Sequence, residues 1–336
     1  MPEFTLDKLP RSVLAKIDFQ TAFMASRCVI AAERLHVFRK LSGKTMTAAE
    51  LGRASGISAR RRDFFFAALH ALGLLRKSGN RYANTALAER HFVHKRSVHW
   101  TNIYASECAE EFRAFAVLDE MLTTGRNYEE ILGIRRQYYF ELMQTNPKWA
   151  WGFTHMLYEE HKPEAAALAK SLNLKAHRRV LDVGGGSGVM SMALVRKNPG
   201  LHACVLDIPN VIRAARAIIR KEKLARRVAT RVGDMNDSMP SGFDVVMFCD
   251  HARLSDHVLT NALNCLPSGG LLVWADYFGD EDFDVPLTRL MWQLRSSDPH
   301  VTTRRSAKQQ VCNCGFTNVR CQHLVGHTWL LTGKKP

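Results

Sequence analysis

The stretch Val180-Leu-Asp-Val-Gly-Gly-Gly-Ser-Gly188 constrains the fold more than any other part of the chain. A short apolar run enters a turn that holds four glycines, and a helix is expected from about Val189. Glycine lets the backbone approach a ligand with no Cβ in the way. Strand, glycine turn and helix together read as the opening unit of a parallel sheet, whose ligand sits beyond the carboxyl end of the first strand.

The chain beyond residue 178 keeps this alternation. Arg179–Val183, Ala203–Leu206, Val228–Arg231, Val245–Cys249 and Leu271–Ala275 are short apolar or β-branched runs with helical stretches between them. They predict a mostly parallel, Rossmann-like α/β sheet with helices on both faces. Before residue 178 the pattern is helical. Phe19–Leu41 carries apolar residues at helical spacing. Thr47-Ala-Ala-Glu50 is a capping box that opens a short helix ending at Gly56. Ser58 is placed to cap the next helix, whose expected apolar face is Phe64, Phe65, Ala68, Leu69 and Leu72, with Gly73 as its terminator. Leu74–Lys77, Ser78-Gly-Asn80 and Arg81–Ala83 read as a hairpin, completing a winged-helix order. A longer helical stretch, 100–170, has one expected break at Asn146-Pro147. Three parts follow: a winged-helix domain over 1–100, a helical connector over 101–177 and an α/β domain over 178–336.

Charge asks whether the winged helix binds nucleic acid. The 336 residues hold 47 Lys+Arg and 32 Asp+Glu, a net charge of +15, and +11 of it lies in residues 1–100. Arg60-Arg61-Arg62 opens the second helix of the module and suits phosphate contacts. The run Phe64-Phe65-Phe66 directly after it points instead to a helix buried in an interface. At 46% hydrophobic and 24% charged, the composition excludes a disordered or collagen-like chain. No apolar run approaches the roughly 20 residues that cross a bilayer. The first residues lack the order of a signal peptide, and the eight cysteines form no disulfide framework, so the cytoplasm is the expected compartment.

Glycine turns of this kind serve two cofactor classes. A dinucleotide needs a helix N-terminus aimed at its pyrophosphate. S-adenosylmethionine (SAM) needs a partner for the ammonium of its methionine part. Asp182, an acid within the turn segment, suits the second. Asp207 lies 25 residues on, at the end of the second strand, a spacing suited to ribose hydroxyls. Asp234 follows the third strand, where it can accept from an adenine amino group while Met235 packs on the ring. Any one of these acids alone reads as a helix cap or loop acid; three at successive strand ends read as a SAM edge.

Here the sequence resembles the small-molecule O-methyltransferases typified by the caffeate, acetylserotonin and hydroxyneurosporene enzymes. The matching strings are Leu-Asp-Val-Gly-Gly-Gly-Ser-Gly, Leu-Asp-Ile-Pro-Asn-Val-Ile, Gly-Asp-Met, Leu-Pro-Ser-Gly-Gly and the Cys-Gly-Phe of 314–316. The N-terminal winged helix also fits, so the resemblance spans most of the chain. It implies a SAM-dependent enzyme releasing S-adenosylhomocysteine (SAH), and a homodimer through the N-terminal domain, which helps close the partner's active site. It implies cofactor contacts at Asp182, Gly184, Gly186, Asp207, Ile208, Gly233, Asp234 and Met235. It places the catalytic base at His251, with Asp276 as the acid orienting its ring. The expected acceptor is a hydroxyl of a small aromatic natural-product intermediate, with no nucleic acid and no membrane as partner. An imidazole is a workable base for a phenol, whose pKa is about 10.

Three departures qualify that likeness. The family has His-Asp-Trp where this chain has His251-Ala-Arg253, and its second acid falls on Val301. Met247 stands where plant relatives often carry Lys. The acceptor pocket is expected to take Arg289 and Trp292 from one helix, and Phe153 and Met156, near Trp149 and His155, from another. If Arg289 faces the pocket the acceptor is acidic; otherwise it lies on a solvated helix face. Asp250, His251, Asp276 and His300 are the residues that would gather round a metal, although the family needs none. Cys312, Cys314, Cys321 and His323 read as packing residues rather than a zinc site. Methylation at carbon or nitrogen, including metal-assisted attack on a keto acid, a repurposed SAM-binding member and a DNA-binding regulator remain the alternatives.

Overall fold

The computed structural model describes residues 9–15, 17–94, 109–135, 139–251, 253–280, 285–296 and 298–336, without the side chains of Phe19, Gln20 and Thr288. The chain divides into two compact units, one ending at Phe112 and the other starting at Arg113. None of the described helices is long and apolar enough to cross a membrane.

The first unit is a winged helix. Its three strands, β1 (Met46–Thr47), β2 (Leu75–Ser78) and β3 (Arg81–Asn84), pair antiparallel in the order β1-β3-β2. The capping box forms: the Glu50 N–H donates to Thr47 Oγ1 at 3.2 Å and the Thr47 N–H to Glu50 Oε2 at 2.7 Å. Gly56 ends that helix at φ 69°. Three expectations are corrected. The stretch expected as one helix over Phe19–Leu41 is two, Phe19–Arg34 and Val37–Leu41, because His36 takes a left-handed conformation at φ 56°. On the helix Ala59–Ala71, Phe66 and Leu69 face the core, while Phe64 is 81% exposed. Three consecutive phenylalanines offer three phases 100° apart, and contact with Tyr82 and Leu51 selects Phe66. Ser58 precedes this helix without a side-chain capping bond.

The second unit holds a seven-stranded sheet in the order β6-β5-β4-β7-β8-β10-β9. Its strands are β4 (Arg179–Val183), β5 (His202–Asp207), β6 (Val228–Val232), β7 (Val245–Cys249), β8 (Leu271–Asp276), β9 (Thr317–Val325) and β10 (Thr328–Lys334). β4 to β8 run parallel, whereas β10 runs antiparallel to β8 and β9. The five parallel strands lie where the sequence predicts them, within two residues at either end. The C-terminal hairpin was not anticipated: β9 is an edge strand with exposed Asn318, Arg320 and Gln322, and reads as polar chain. Side chains alternate across the sheet. Val180, Val205, Met247 and Val273 enter one core, and Leu181, Val183, Phe248 and Trp274 the other.

From β4 the chain goes outward through β5 and β6, then returns to β7 on the other side. Strand order therefore reverses beside β4, and a crevice opens at the carboxyl ends of β4, β5 and β7. Before the sheet come the helices Leu118–Thr124, Tyr128–Leu132, Tyr139–Thr145, Pro147–Glu160 and Lys162–Ser171. The expected break at Asn146-Pro147 is present, with Asn146 capping the Trp149 N–H at 3.0 Å. Gly125 and Gly133, both at positive φ, break the stretch further.

Candidate active site at the strand carboxyl ends

Asp182 lies under the glycine turn, 0% exposed. Ser191 Oγ donates to its Oδ2 at 2.6 Å, while its Oδ1 is buried without a hydrogen-bond partner. Burial pushes this carboxyl up to about 7; the Ser191 bond opposes the shift and Asp207 adds to it. An orphaned buried carboxylate oxygen is costly, and an ammonium donor is the chemical group that would satisfy it. A Cβ on Gly185 would fall 2.5 Å from Asp182 Cγ, so the close approach of backbone to carboxylate requires glycine there.

Asp207 ends β5 and fastens the other side of the turn. Its Oδ2 accepts from the Gly186 N–H at 2.9 Å and its Oδ1 from the Ile208 N–H at 2.8 Å. Burial still pushes its carboxyl up despite those two bonds. The Gly233 N–H donates to the Asp207 carbonyl at 3.1 Å. Met235 reaches the same turn, its Cε 3.1 Å from where a Gly184 Cβ would be. Asp234 Oδ1 accepts both the main-chain and side-chain N–H of Asn236, at 2.9 and 2.8 Å. That carboxylate thus serves as a turn acid at least in part.

His251 follows β7, and its ring lies across the turn. A Cβ on Gly184, which has φ 60°, would fall 2.3 Å from His251 Cε1. His251 Nε2 donates to the Val183 carbonyl at 2.9 Å. A carbonyl only accepts, so Nε2 carries the hydrogen in the neutral ring, and Nδ1 holds the free lone pair. Here the structure departs from expectation. Asp276 meets His251 through the main chain, accepting its N–H on Oδ2 at 2.9 Å, because the ring is turned towards Val183.

Asp276, 2% exposed, is instead a hub. Its Oδ1 accepts from the Tyr277 N–H at 2.8 Å and from Arg289 at 3.2 Å. Burial and nearby Asp250 push its carboxyl up, and Arg289 opposes them. Arg289 projects from the helix Leu287–Leu294, its side chain 15% exposed, with its guanidinium 5.4 Å from the Tyr277 ring centre. It does not lie on a solvated face.

Asp250 takes a left-handed φ of 57° and pairs with His161 at 3.4 Å. His161 and Glu164 line a small cavity with Asp250, Asp276 and Tyr277. The sequence reading missed His161, Glu164 and Tyr277. His161, which precedes the helix Lys162–Ser171, and Glu164 in its first turn reach the strand ends through the packing of that helix, and no local spacing announces it.

The acceptor residues fare unevenly. Phe153 stacks on Trp149 with ring centres 4.7 Å apart, in an apolar cluster that includes Ile208. Met156 is buried on the same helix. Trp292 is 48% exposed, so the described residues do not enclose it as the wall of a pocket would. Met247 is corrected outright. It lies within β7, 0% exposed and paired with Asp182 and Val273, so it is core and cannot touch an acceptor. The metal set does not assemble. His300 Nε2 bonds to Thr302 Oγ1 at 3.2 Å, and among the described residues no three His, Cys, Asp or Glu side chains are placed to hold an ion. His323 bonds the Gly326 carbonyl and packs edge-on against Trp329, as a packing residue would.

Comparison with known proteins gives this geometry a family. The O-methyltransferase dimerisation domain matches residues 17–94, and the O-methyltransferase domain matches residues 115–308, over half of the chain. The 3-hydroxy-5-methyl-1-naphthoate 3-O-methyltransferase of Streptomyces sahachiroi is 27% identical over 284 residues, 82% of this chain and 81% of that protein. The L-tyrosine C(3)-methyltransferase of Streptomyces lavendulae is 27% identical over 270 residues, 76% of this chain and 72% of that one. Among solved structures, PigF with SAH shares the fold at a TM-score of 0.81, with 20% identity, covering 95% of this chain and 100% of its own. With a dimerisation domain followed by the catalytic domain, the chain belongs to the O-methyltransferase family.

Proposed function

We propose that the protein is a SAM-dependent methyltransferase that acts, as a homodimer through its N-terminal unit, on a hydroxyl of a small aromatic natural-product intermediate. The observation that carries this reading is the unpaired, buried Oδ1 of Asp182 beneath a glycine turn at the sheet's switch point. A pyrophosphate would meet repulsion there; an ammonium meets a partner.

When bound, SAM supplies a methyl on a sulfonium. Asp182 holds the ammonium of its methionine part, and Asp207 takes the ribose hydroxyls on its remaining lone pairs. Asp234 and Met235 flank the adenine, while Gly184, Gly186, Ile208 and Gly233 shape the wall. His251 accepts the acceptor's hydroxyl proton on Nδ1 while Val183 O keeps Nε2 in place. The new O–C bond forms as the C–S bond breaks, its electron pair stays on sulfur, and SAH departs. Phe153 and Met156 form the apolar side of the acceptor space, which excludes water as opposite charges cancel. The domain boundaries near residues 100 and 178 are part of this proposal, the connector supplying Phe153 and Met156.

Methylation at a ring carbon ortho to the hydroxyl is the second reading. It uses the same proton removal, and the tyrosine C(3)-methyltransferase relative favours it. Purified protein should bind SAM and SAH with micromolar Kd and, with SAM, add one methyl to members of a hydroxyarene panel. NMR of the product separates O–CH3 from C–CH3. Absence of SAM binding would sink both readings.

A further inference from the structure

Arg289 is a site residue whose bonding is far from complete. Only one of its terminal nitrogens is engaged, to Asp276 Oδ1 at 3.2 Å. Among the described residues its other guanidinium N–H groups make no hydrogen bond, and none of its nitrogens is an unsatisfied buried atom, so they remain open to a ligand. A guanidinium offers five donors in a planar fork that matches a carboxylate with two parallel bonds. Here Asp276 takes a single one, while its other oxygen is kept by the His251 N–H.

The surroundings say which charge can approach. Asp250 and Asp276 stand at the strand ends, and Glu160 and Glu164 add negative charge on the Tyr277 side. Among the described residues His161, paired with Asp250, and Arg289, paired with Asp276, are cations set against them. Against that negative field, the open N–H groups of Arg289 are donors that an anion can reach. We propose that Arg289 receives, on its open N–H groups, a carboxylate carried by the same aromatic system as the reacting hydroxyl, while Asp276 holds the guanidinium from the other side. This rests on the methyltransferase reading and names its substrate class: hydroxyarene carboxylic acids. It also accounts for the departures from the family. Val301 supplies no second acid, and the His251 ring leans on a carbonyl rather than a carboxylate. Positioning by the acceptor's own carboxylate offsets that weaker support.

The test measures binding by calorimetry to the SAH-saturated dimer, using 3-hydroxy-1-naphthoate against 2-naphthol, and 3-hydroxybenzoate against phenol. The wild type is expected to bind at least one carboxylate ten times or more tighter than its matched phenol. Arg289→Met should erase that preference with SAH affinity unchanged, and Arg289→Lys should keep part of it. Asp276→Asn removes a negative charge beside the guanidinium and should tighten carboxylate binding several-fold, an effect opposite in sign to Arg289→Met. A purely structural ion pair gives the reverse pattern: both variants weaken every ligand alike. That pattern overturns the proposal, as does a wild type that binds SAH but prefers no carboxylate. A wild type that binds no SAH overturns the methyltransferase reading, and this inference with it.

Discussion

The two sides of the crevice are built differently. At the carboxyl ends of β4 and β5, main-chain bonds lock the acids and glycines together: Gly186 and Ile208 donate to Asp207, and Gly185 lies against Asp182. At the ends of β7 and β8, the His251 and Tyr277 N–H groups also reach Asp276, but charged side chains are bonded to one another as well: His161 to Asp250, Arg289 to Asp276. A site made of backbone contacts tolerates little change, because each requires a particular glycine or acid. A site made of side-chain pairs can be rewired one residue at a time. Solved relatives hold SAM or SAH, whereas the acceptors named for relatives differ, and the division of construction follows that division of labour.

The sharpest way to break this comparison is at the base. His251→Ala should lower kcat by roughly 10²–10⁴ and leave SAH affinity unchanged, as isothermal titration and single-turnover rates would report. If turnover survives, His251 is not the base; if SAH affinity collapses, its ring belongs to the cofactor side after all.

Gly185→Ala attacks the other side. A methyl placed 2.5 Å from Asp182 Cγ must push the carboxylate or the turn aside. Overpacking of this kind costs roughly 1–3 kcal/mol, so SAH affinity should fall about ten- to hundredfold. A near-normal Kd would mean the turn is as adaptable as the base side.

Asp182 gives a pH test of the same edge. With its carboxyl pushed up to about 7 in the free protein, binding an ammonium must expel a proton at lower pH. SAH affinity should therefore weaken by up to about tenfold per pH unit below 7, and Asp182→Asn should flatten that profile. The stability of the free protein has the opposite slope. The folded state holds this proton more tightly than the unfolded chain does. The stabilisation is fully present below about pH 4 and is lost as pH rises through about 7. SAH should accordingly raise the melting temperature more at pH 7.5 than at pH 5.5. An equal increment at both would contradict a protonated Asp182.

How much of this was legible in the sequence follows the same line. Asp182, Asp207 and the glycines were readable because their spacing along strands and turns is their geometry. Four of the five parallel strands were readable because a doubly covered strand is a short apolar run, and β6, at the sheet edge, because of its β-branched Val228, Thr230 and Val232. Asp276 and Arg289 were legible as residues and not as a pair, since a contact 13 residues apart depends on how the chain between them turns. Met247 misled because the loop before His251 starts later than expected: β7 runs on through Cys249, which leaves Met247 at its centre. β9 was invisible because an edge strand needs no apolar face on both sides.

The smallest effect probes the lost acid. Val301 packs against Gly279, its Cγ1 2.9 Å from where a Cβ would be, and the Gly279 N–H donates to the Thr302 carbonyl at 3.0 Å. This pins Val301 to the same strand end that carries Asp276. Val301→Glu returns a carboxylate to that end without touching the glycine turn. On the side-chain-built half of the crevice such a change is tolerated, so SAH affinity should be unaltered. Extra negative charge favours an imidazolium forming at His251 and disfavours an anion resting on Arg289. The turnover of a plain phenol such as 2-naphthol should therefore rise a few-fold, of the size of one exposed charge pair at about 0.2–1 kcal/mol, while binding of 3-hydroxy-1-naphthoate weakens by a similar factor. Opposite signs for the two acceptors would show that this half of the site trades support of the base against capture of an acid. Equal signs would show that Val301 is only packing.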